Sequence, residues 1–266
     1  MFEKMKWLSL FFVTLLSMGQ QKDSLKVLRD AKEVPEKYKL IHFGLKGKLK
    51  TMEHHYGSYG NDFMLYEFDA TGNLLQISNA AKQTKRTYTY DEKGKLKSYQ
   101  YGKRTVEVDL DSVGNIIKQT ICHQERDTIV LVNKFNKNGF WLSQKQIKED
   151  QLLLENEYDQ NDKLLKMKSY TNGQISSETS FGYVFYEKFI QIEQLTKDIS
   201  SENTSFNYHY LDYFGNHIIG FNPEEKKLSK ETINDVFSVF ILDKNKNWLK
   251  AKTDYQSIVF RQLTYY

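Results

Sequence analysis

The chain has 266 residues, among them 17 Phe, 18 Tyr and 3 Trp but only two Pro. Ordinary usage predicts about 13 prolines, and a shortage of the residue that cannot donate a backbone hydrogen bond favours β-sheet over intrinsic disorder. With 38 Lys and Arg against 34 Asp and Glu in no single cluster, and one cysteine, Cys122, the chain is neither a typical nucleic-acid binder nor a disulfide scaffold.

Residues 1–19 have the three parts of a secretory signal peptide. Lys4 and Lys6 precede an apolar run over 7–16, and small residues follow at Ser17 and Gly19. We expect cleavage after Gly19 and an exported protein, periplasmic or extracellular. It should have no membrane span after cleavage, because the run is shorter than the roughly 20 residues that a span needs. A short membrane anchor and an amphipathic helix remain alternatives. With no cysteine near the end of the run, a lipoprotein is not expected.

Residues 20–39 form a lead-in whose sequence does not follow the alternating pattern of a strand. Leu25, Val27 and Leu28 alternate with charges before Pro35, which suits a short helix or a loose segment more than a strand.

From residue 40 onward one motif returns: alternating residues, then Asp-x-x-Gly, then an apolar residue. The clear copies are Asp69 with Gly72, Asp91 with Gly94, Asp111 with Gly114, and Asp212 with Gly215. Weaker copies begin at Gly44, Asn136, Asp159, Tyr186 and Asp243. A period of about 25 residues indicates a repeat architecture.

The motif predicts a β-hairpin. Asp at the first position caps a type I turn, and Gly at the fourth takes the left-handed conformation before a bulge. We therefore predict an all-β fold: a curled, twisted antiparallel meander of about eight or nine β-hairpin repeats. These repeats would give sixteen to eighteen strands, and open sheets of more than about ten strands curl. It should be a single domain over 40–266, with an exposed loop insertion near 222–235 around Pro223.

These repeats resemble the YD-repeat or RHS-repeat family. Residues 88–96 read YTYDEKGKL and residues 66–74 read YEFDATGNL. The ending, DKNKNWLK at 243–250 and RQLTYY at 261–266, is similar to the closing repeat of short exported Bacteroidetes-type members, except that Lys246 stands where Gly is usual. The resemblance implies an exported β-sheet protein that binds sugars or proteins or acts as a shell, and it supplies no catalytic residue.

Chemistry-bearing clusters are few. His54 and His55 should point to opposite faces of a strand, and we interpret them as surface or turn histidines. His209 and His217 could face each other across a hairpin, although a zinc site needs at least three protein ligands. We predict no catalytic residue, no metal site and no cofactor.

Exposed aromatics are the remaining candidates for a ligand site: Trp141, Trp248, Tyr99 and Tyr101 could form a platform for sugar rings. The alternative is that they are cross-strand pairs that hold the sheet. The leading hypothesis is an exported non-enzymatic binding protein for a protein or glycan in the cell envelope, with no nucleic-acid partner. An immunity protein that neutralises a toxin exchanged between bacteria and a glycan-active enzyme are the alternatives.

Overall fold

A computed structural model describes residues 33–55, 63–123, 126–186, 189–212, 217–221, 241–252 and 258–266. The predicted signal peptide, residues 20–32 of the lead-in, Gly215 and the predicted loop at 222–235 lie outside the described residues. None of the helices in the described part is long and apolar enough to cross a membrane.

The described residues contain eighteen strands. They are β1 (Leu49–His55), β2 (Phe63–Phe68), β3 (Leu74–Asn79), β4 (Thr84–Tyr90), β5 (Leu96–Tyr101), β6 (Arg104–Leu110), β7 (Ile116–His123), β8 (Arg126–Phe135), β9 (Trp141–Gln146), β10 (Gln151–Tyr158), β11 (Leu164–Thr171), β12 (Gln174–Phe185), β13 (Phe189–Asp198), β14 (Thr204–Asp212), β15 (His217–Phe221), β16 (Ile241–Leu242), β17 (Trp248–Lys252) and β18 (Ile258–Tyr265).

The strands form one antiparallel sheet. Each strand from β1 to β14 pairs with the next along the chain, β16 pairs with β17, and β17 pairs with β18. The last strand, β18, pairs with β1, where His54 lies opposite Arg261. The described residues form no ladder between β15 and β16. The predicted all-β meander is confirmed.

The predicted Asp-x-x-Gly turns lie at the same end of the strands, because each joins an even-numbered strand to the following odd-numbered one. We call the turns that begin at Asp69, Asp91, Asp111, Asn136, Asp159 and Asp243 the Asp turns. The opposite end of the strands carries other turns. One is the pair Asn172 and Gly173, whose φ values of 52° and 77° are those of a two-residue hairpin turn.

The first weak copy of the motif differs from its prediction. A short 3-10 helix, Leu40–Phe43, precedes Gly44, so no strand precedes this turn. Strand β1 needs none there, because β18 occupies its free side. Residues 33–39 of the lead-in contain no helix.

The core lies on the face of the sheet that the lead-in covers, which we call the inner face. Its buried members are Tyr38, Leu40, Leu45, Leu49, Met52, Phe68, Leu74, Tyr88, Leu96, Tyr99, Val106 and Ile116. A smaller buried pair, Ile190 and Leu211, packs farther along the sheet. The lead-in is therefore part of the core of the first seven strands.

The sheet curls around the lead-in. The carbonyl oxygen of Tyr38 accepts the N–H of Leu74 on β3 at 2.9 Å. Burial is the main cause of the raised pKa of Tyr183 on β12, and the charges of Tyr158, Asp159 and Glu33 add to it. Glu33 lies only five residues before Tyr38. Five residues span at most about 18 Å, whereas nine spacings of about 4.8 Å would separate β3 from β12 by about 43 Å in a flat sheet. The lead-in thus interacts with strands that a flat sheet would hold far apart, which favours a curled sheet.

Candidate functional site

The turn between β4 and β5 shows how the motif folds. The carbonyl oxygen of Asp91 accepts the N–H of Gly94 at 3.0 Å. Its Oδ1 accepts the N–H groups of Lys93 and Lys95 at 2.9 and 2.8 Å. Gly94 has a φ of 73°, in the left-handed region that a Cβ disfavours. The carboxylate of Asp91 therefore acts as a backbone cap.

The same bonds recur at every Asp turn, where a side-chain oxygen of the first residue accepts the N–H groups of the third and fifth. Gly72 and Gly114 take φ values of 87° and 93°. Two other residues occupy the left-handed position, Asp162 at 62° and Lys246 at 65°. Lys246 thus preserves the turn although it replaces the usual glycine.

Hydrogen bonds lower the pKa values of the turn carboxylates of Asp69 and Asp111. Burial alone would raise the pKa of Asp69, but bonds from Thr71 and Asn73 hold it below its ordinary value of 3.8. For Asp111 burial also acts upward, and bonds from Asn115 and backbone N–H groups again lower the pKa. A general acid of a glycosidase needs the opposite shift.

Three further predicted residues lie wholly or partly outside the described part. Asp212 is the last residue of β14, and Gly215 is not described. Trp248 is the first residue of β17, but its side chain falls outside what the structure describes.

A charged cluster that the sequence did not reveal links the lead-in to β4. Arg86 Nη1 donates to both carboxylate oxygens of Glu36, at 2.7 and 2.9 Å, and the Tyr88 hydroxyl donates to Glu36 Oε1 at 2.7 Å. The Glu36 side chain is only 10% exposed. Burial disfavours the charge of Arg86, but Glu36 and Tyr88 outweigh it and raise the pKa of the guanidinium.

The cluster continues onto β5 and β6 through aromatic rings. The Arg86 guanidinium lies 5.7 Å from the ring centre of Tyr99 and 5.2 Å from that of Tyr101. The Arg104 guanidinium lies 5.4 Å from the same Tyr101 ring, and its Nη1 donates to the Tyr101 hydroxyl at 3.2 Å. We call Arg86, Tyr101 and Arg104 the arginine–tyrosine cluster.

Two of the predicted platform residues are accounted for by this arrangement. Tyr99 is only 5% exposed, stacks on Tyr88 and belongs to the core, so it offers no ring face to a ligand. Tyr101 is half-buried, and two guanidinium groups pack on its ring. The structure therefore assembles a cationic group here where the sequence suggested an open aromatic surface.

A strip of buried amides extends the inner face beyond Tyr99. Gln119 Nε2 donates to the Tyr99 hydroxyl at 2.9 Å, and Gln144 Nε2 donates to Asn133 Oδ1 at 3.0 Å. Asn133 Nδ2 donates to the carbonyl oxygen of Ile116 at 2.9 Å. Because these amides bond one another or the backbone, they hold neighbouring strands together.

Trp141 lies at the start of β9 and is half-buried. Its indole Nε1 donates to the carbonyl oxygen of Ser143 at 3.1 Å. Its own carbonyl oxygen accepts from Asn156 Nδ2 at 2.8 Å and from the Tyr158 hydroxyl at 3.0 Å. In the order of the sheet, Trp141 on β9 lies four strands from Tyr101 on β5.

The histidine pair lies in β1. His55 is 7% exposed and its Nε2 lies 3.2 Å from Glu53 Oε2, so the expected surface or turn position is wrong for this residue. Burial, Arg261 and His55 lower the pKa of His54 to about 4. His54 is therefore neutral at physiological pH.

The second pair of histidines is not opposed. His209 lies across from Gly220, and His217 lies across from Leu211. The His209 Nε2 instead lies 2.7 Å from Gln194 Oε1. Within the described ranges, no three His, Cys, Asp or Glu side chains are grouped so that they could hold a metal ion.

Comparison with known proteins gives no family. No family model and no curated protein matches the chain. Among solved structures, the crystal structure of TcdB2-TccC3-Cdc42 is similar at 11% identity and a TM-score of 0.28, over 72% of this chain and 12% of that one. The crystal structure of TcdB2-TccC3 gives 9% identity and a TM-score of 0.27, over 79% and 13%.

The chain thus spans only 12 to 13% of the length of those structures, and TM-scores this low carry no argument about function. The strands and turns themselves define the class: this is a β-hairpin repeat protein.

Proposed function

We propose that this chain is an exported, non-enzymatic β-repeat protein that binds a protein or glycan in the cell envelope. The observation that carries the proposal is the arginine–tyrosine cluster. It presents an exposed arginine, Arg104, on a ring that is fixed by a second arginine and by the core. Ordered cations of this kind are common in binding surfaces.

The acidic residues of the repeats support a role without catalysis. At each Asp turn the first side chain already accepts two backbone N–H groups, and Glu36 is engaged by Arg86 and Tyr88. The export part of the proposal rests on residues 1–19, whose sequence has the form of a signal peptide.

Affinity capture tests the proposal. The mature chain would be incubated with envelope extract from the cells that make it, retained molecules identified by mass spectrometry, and each candidate purified and titrated back. A saturable complex with one candidate supports binding. If no candidate rebinds the folded chain, the proposal is wrong.

The same preparation separates the alternatives. An immunity protein would rebind a toxin and suppress its activity. A glycan-active enzyme would turn over an envelope glycan, and a single acidic substitution would abolish that turnover.

A further inference from the structure

The two arginines on Tyr101 differ in what neutralises them. Arg86 is bound to the Glu36 carboxylate, with a side chain 32% exposed. Arg104 is exposed, and its contacts with described residues are with the hydroxyl and ring of Tyr101. Within the described ranges, no carboxylate forms an ion pair with Arg104.

Glu36 shows which chemical group this arrangement accepts. It belongs to a peptide segment that crosses the inner face and places a carboxylate against a guanidinium packed on tyrosine rings. Such charge-assisted bonds are about twice as strong as neutral ones. Arg104 repeats the arrangement one strand beyond Tyr101, since the two residues are register partners on β5 and β6.

We propose that Arg104, held by Tyr101, binds an Asp or Glu side chain from an acidic segment of a partner protein. The proposal rests on the proposed binding function and specifies its partner. A peptide is favoured over a sugar acid for two reasons. The neighbouring half of the cluster already holds a peptide carboxylate, and the Tyr101 ring, packed by two guanidinium groups, is not an open stacking face for a sugar.

The rim beside Arg104 leaves room for such a segment. The β5–β6 turn is short, and a Cβ placed on Gly102 would meet no atom within 4 Å. Gly102 and Lys103 are both exposed. An incoming chain would therefore meet exposed residues on the β5–β6 turn beside Arg104.

Fluorescence anisotropy with labelled oligoglutamate tests the site, with oligoglutamine as the uncharged match and oligogalacturonate as the acidic sugar. The variant Arg104→Gln removes the guanidinium. Lys97→Gln is the matched control. Lys97 is also cationic and exposed, but it lies at the start of β5, outside the arginine–tyrosine cluster. Arg104→Lys keeps the charge and checks that the fold tolerates substitution.

We expect oligoglutamate to bind the unaltered chain and Lys97→Gln alike, and Arg104→Gln to bind about tenfold more weakly or worse. Equal binding by Arg104→Gln, equal binding of oligoglutamine, or absence of oligoglutamate binding overturns the proposal, as does tighter binding of oligogalacturonate. If a captured envelope partner rebinds Arg104→Gln with full affinity, this site is wrong while the proposed function stands.

Discussion

At the fourth position of an Asp turn, the backbone decides which residues fit. An added Cβ at Gly94 would meet only Asn73 Nδ2, at 3.7 Å, so there is space for a side chain. The constraint is the φ of 73°. Asp162 and Lys246 hold the same conformation, which shows that the turn forms at a moderate conformational cost without glycine.

Substitution of Gly94 should therefore reveal a backbone effect. We expect Gly94→Val to lower the free energy of unfolding by more than about 1 kcal/mol, because a β-branched residue resists positive φ. Gly94→Asn should cost less, since Asn tolerates this region. Urea unfolding of both variants measures the difference, and equal midpoints for Gly94→Val and the unaltered chain would show that the turn is misassigned.

The turn carboxylates should make stability depend on pH. The pKa of Asp111 is lowered in the folded state by hydrogen bonds, although burial opposes them. Its stabilising effect is therefore complete above the ordinary value of 3.8 and is lost as pH falls through the lower folded pKa.

Asp111→Asn should flatten the loss of stability below about pH 4, because an amide Oδ1 caps the turn without titrating. Asn136 already caps its turn in this way, accepting the N–H groups of Asn138 and Phe140. Thermal melts between pH 2 and 7 test this, and parallel pH profiles for Asp111→Asn and the unaltered chain would contradict the capping role.

Single residues also show where sequence reasoning ends. Lys246 could be placed in its turn because its neighbours keep the motif, and the structure gives it a φ of 65°. The Glu36–Arg86 pair could not be predicted, since 50 residues separate its members and the pairing depends on how the sheet curls. The only signal was an arginine within a tyrosine-rich strand.

At the scale of elements, the last Asp turn and the last strand fasten onto the start of the repeat domain. Asn247 is fully buried, and its amide donates to the Lys46 carbonyl oxygen and the Tyr265 hydroxyl, each at 2.8 Å. Its Oδ1 accepts the N–H of Lys46 at 2.8 Å. One side chain thus joins the β16–β17 turn to the segment before β1.

We expect Asn247→Ala to lower the free energy of unfolding by about 2 to 4 kcal/mol, because it leaves the backbone N–H and carbonyl oxygen of Lys46 without the amide that they bond. Asn245→Ala, in the same turn, should cost less, since the backbone N–H of residue 245 still donates to Asp243 Oδ1. Chemical unfolding compares the two, and hydrogen exchange at Lys46 should rise only in Asn247→Ala. Equal stability of the two variants would contradict the fastening role.

The lead-in is held in a similar way by Glu36. We expect Glu36→Gln to destabilise the fold by about 1 to 3 kcal/mol, because it leaves the Arg86 guanidinium without its counter-charge. A double-mutant cycle with Arg86→Gln isolates the pair. A coupling energy near zero would show that the lead-in is held by its apolar residues alone.

The element pattern was largely readable from the sequence, because each Asp turn and its flanking alternation are local signals. The 3-10 helix at Leu40–Phe43 was missed, since the local motif at Gly44 resembles the others and only the pairing of β18 with β1 makes a preceding strand unnecessary. Tyr99 stacks on Tyr88, its register partner on β4, as the cross-strand interpretation predicted. Its inner position could not be predicted, because alternation defines two faces without telling which one is covered.

The whole molecule combines these features into a sheet curled around its own lead-in. Tyr38 contacts β3 through Leu74, and its hydroxyl donates to the Gly114 carbonyl oxygen at 2.6 Å, in the turn before β7. Burial and Asp111 raise the pKa of Tyr38 to about 12, so the hydroxyl stays a donor at neutral pH. The lead-in is therefore an internal support of the first half of the sheet.

The curl can be measured as a distance between two equivalent Asp turns. Ala70 and Gln160 are both exposed and each follows the first residue of its turn, so spin labels there would report the separation of the β2–β3 and β10–β11 turns. The labels would be placed in a Cys122→Ser background, because Cys122 is a free thiol. In a flat sheet, eight spacings of about 4.8 Å give about 38 Å.

Electron–electron double resonance on Ala70→Cys with Gln160→Cys tests the central claim most directly. A sheet curled around the lead-in predicts a narrow distribution below about 30 Å, because the chain from Tyr38 to Glu33 reaches only about 18 Å. A distribution centred near 38 Å or beyond would contradict the curled sheet.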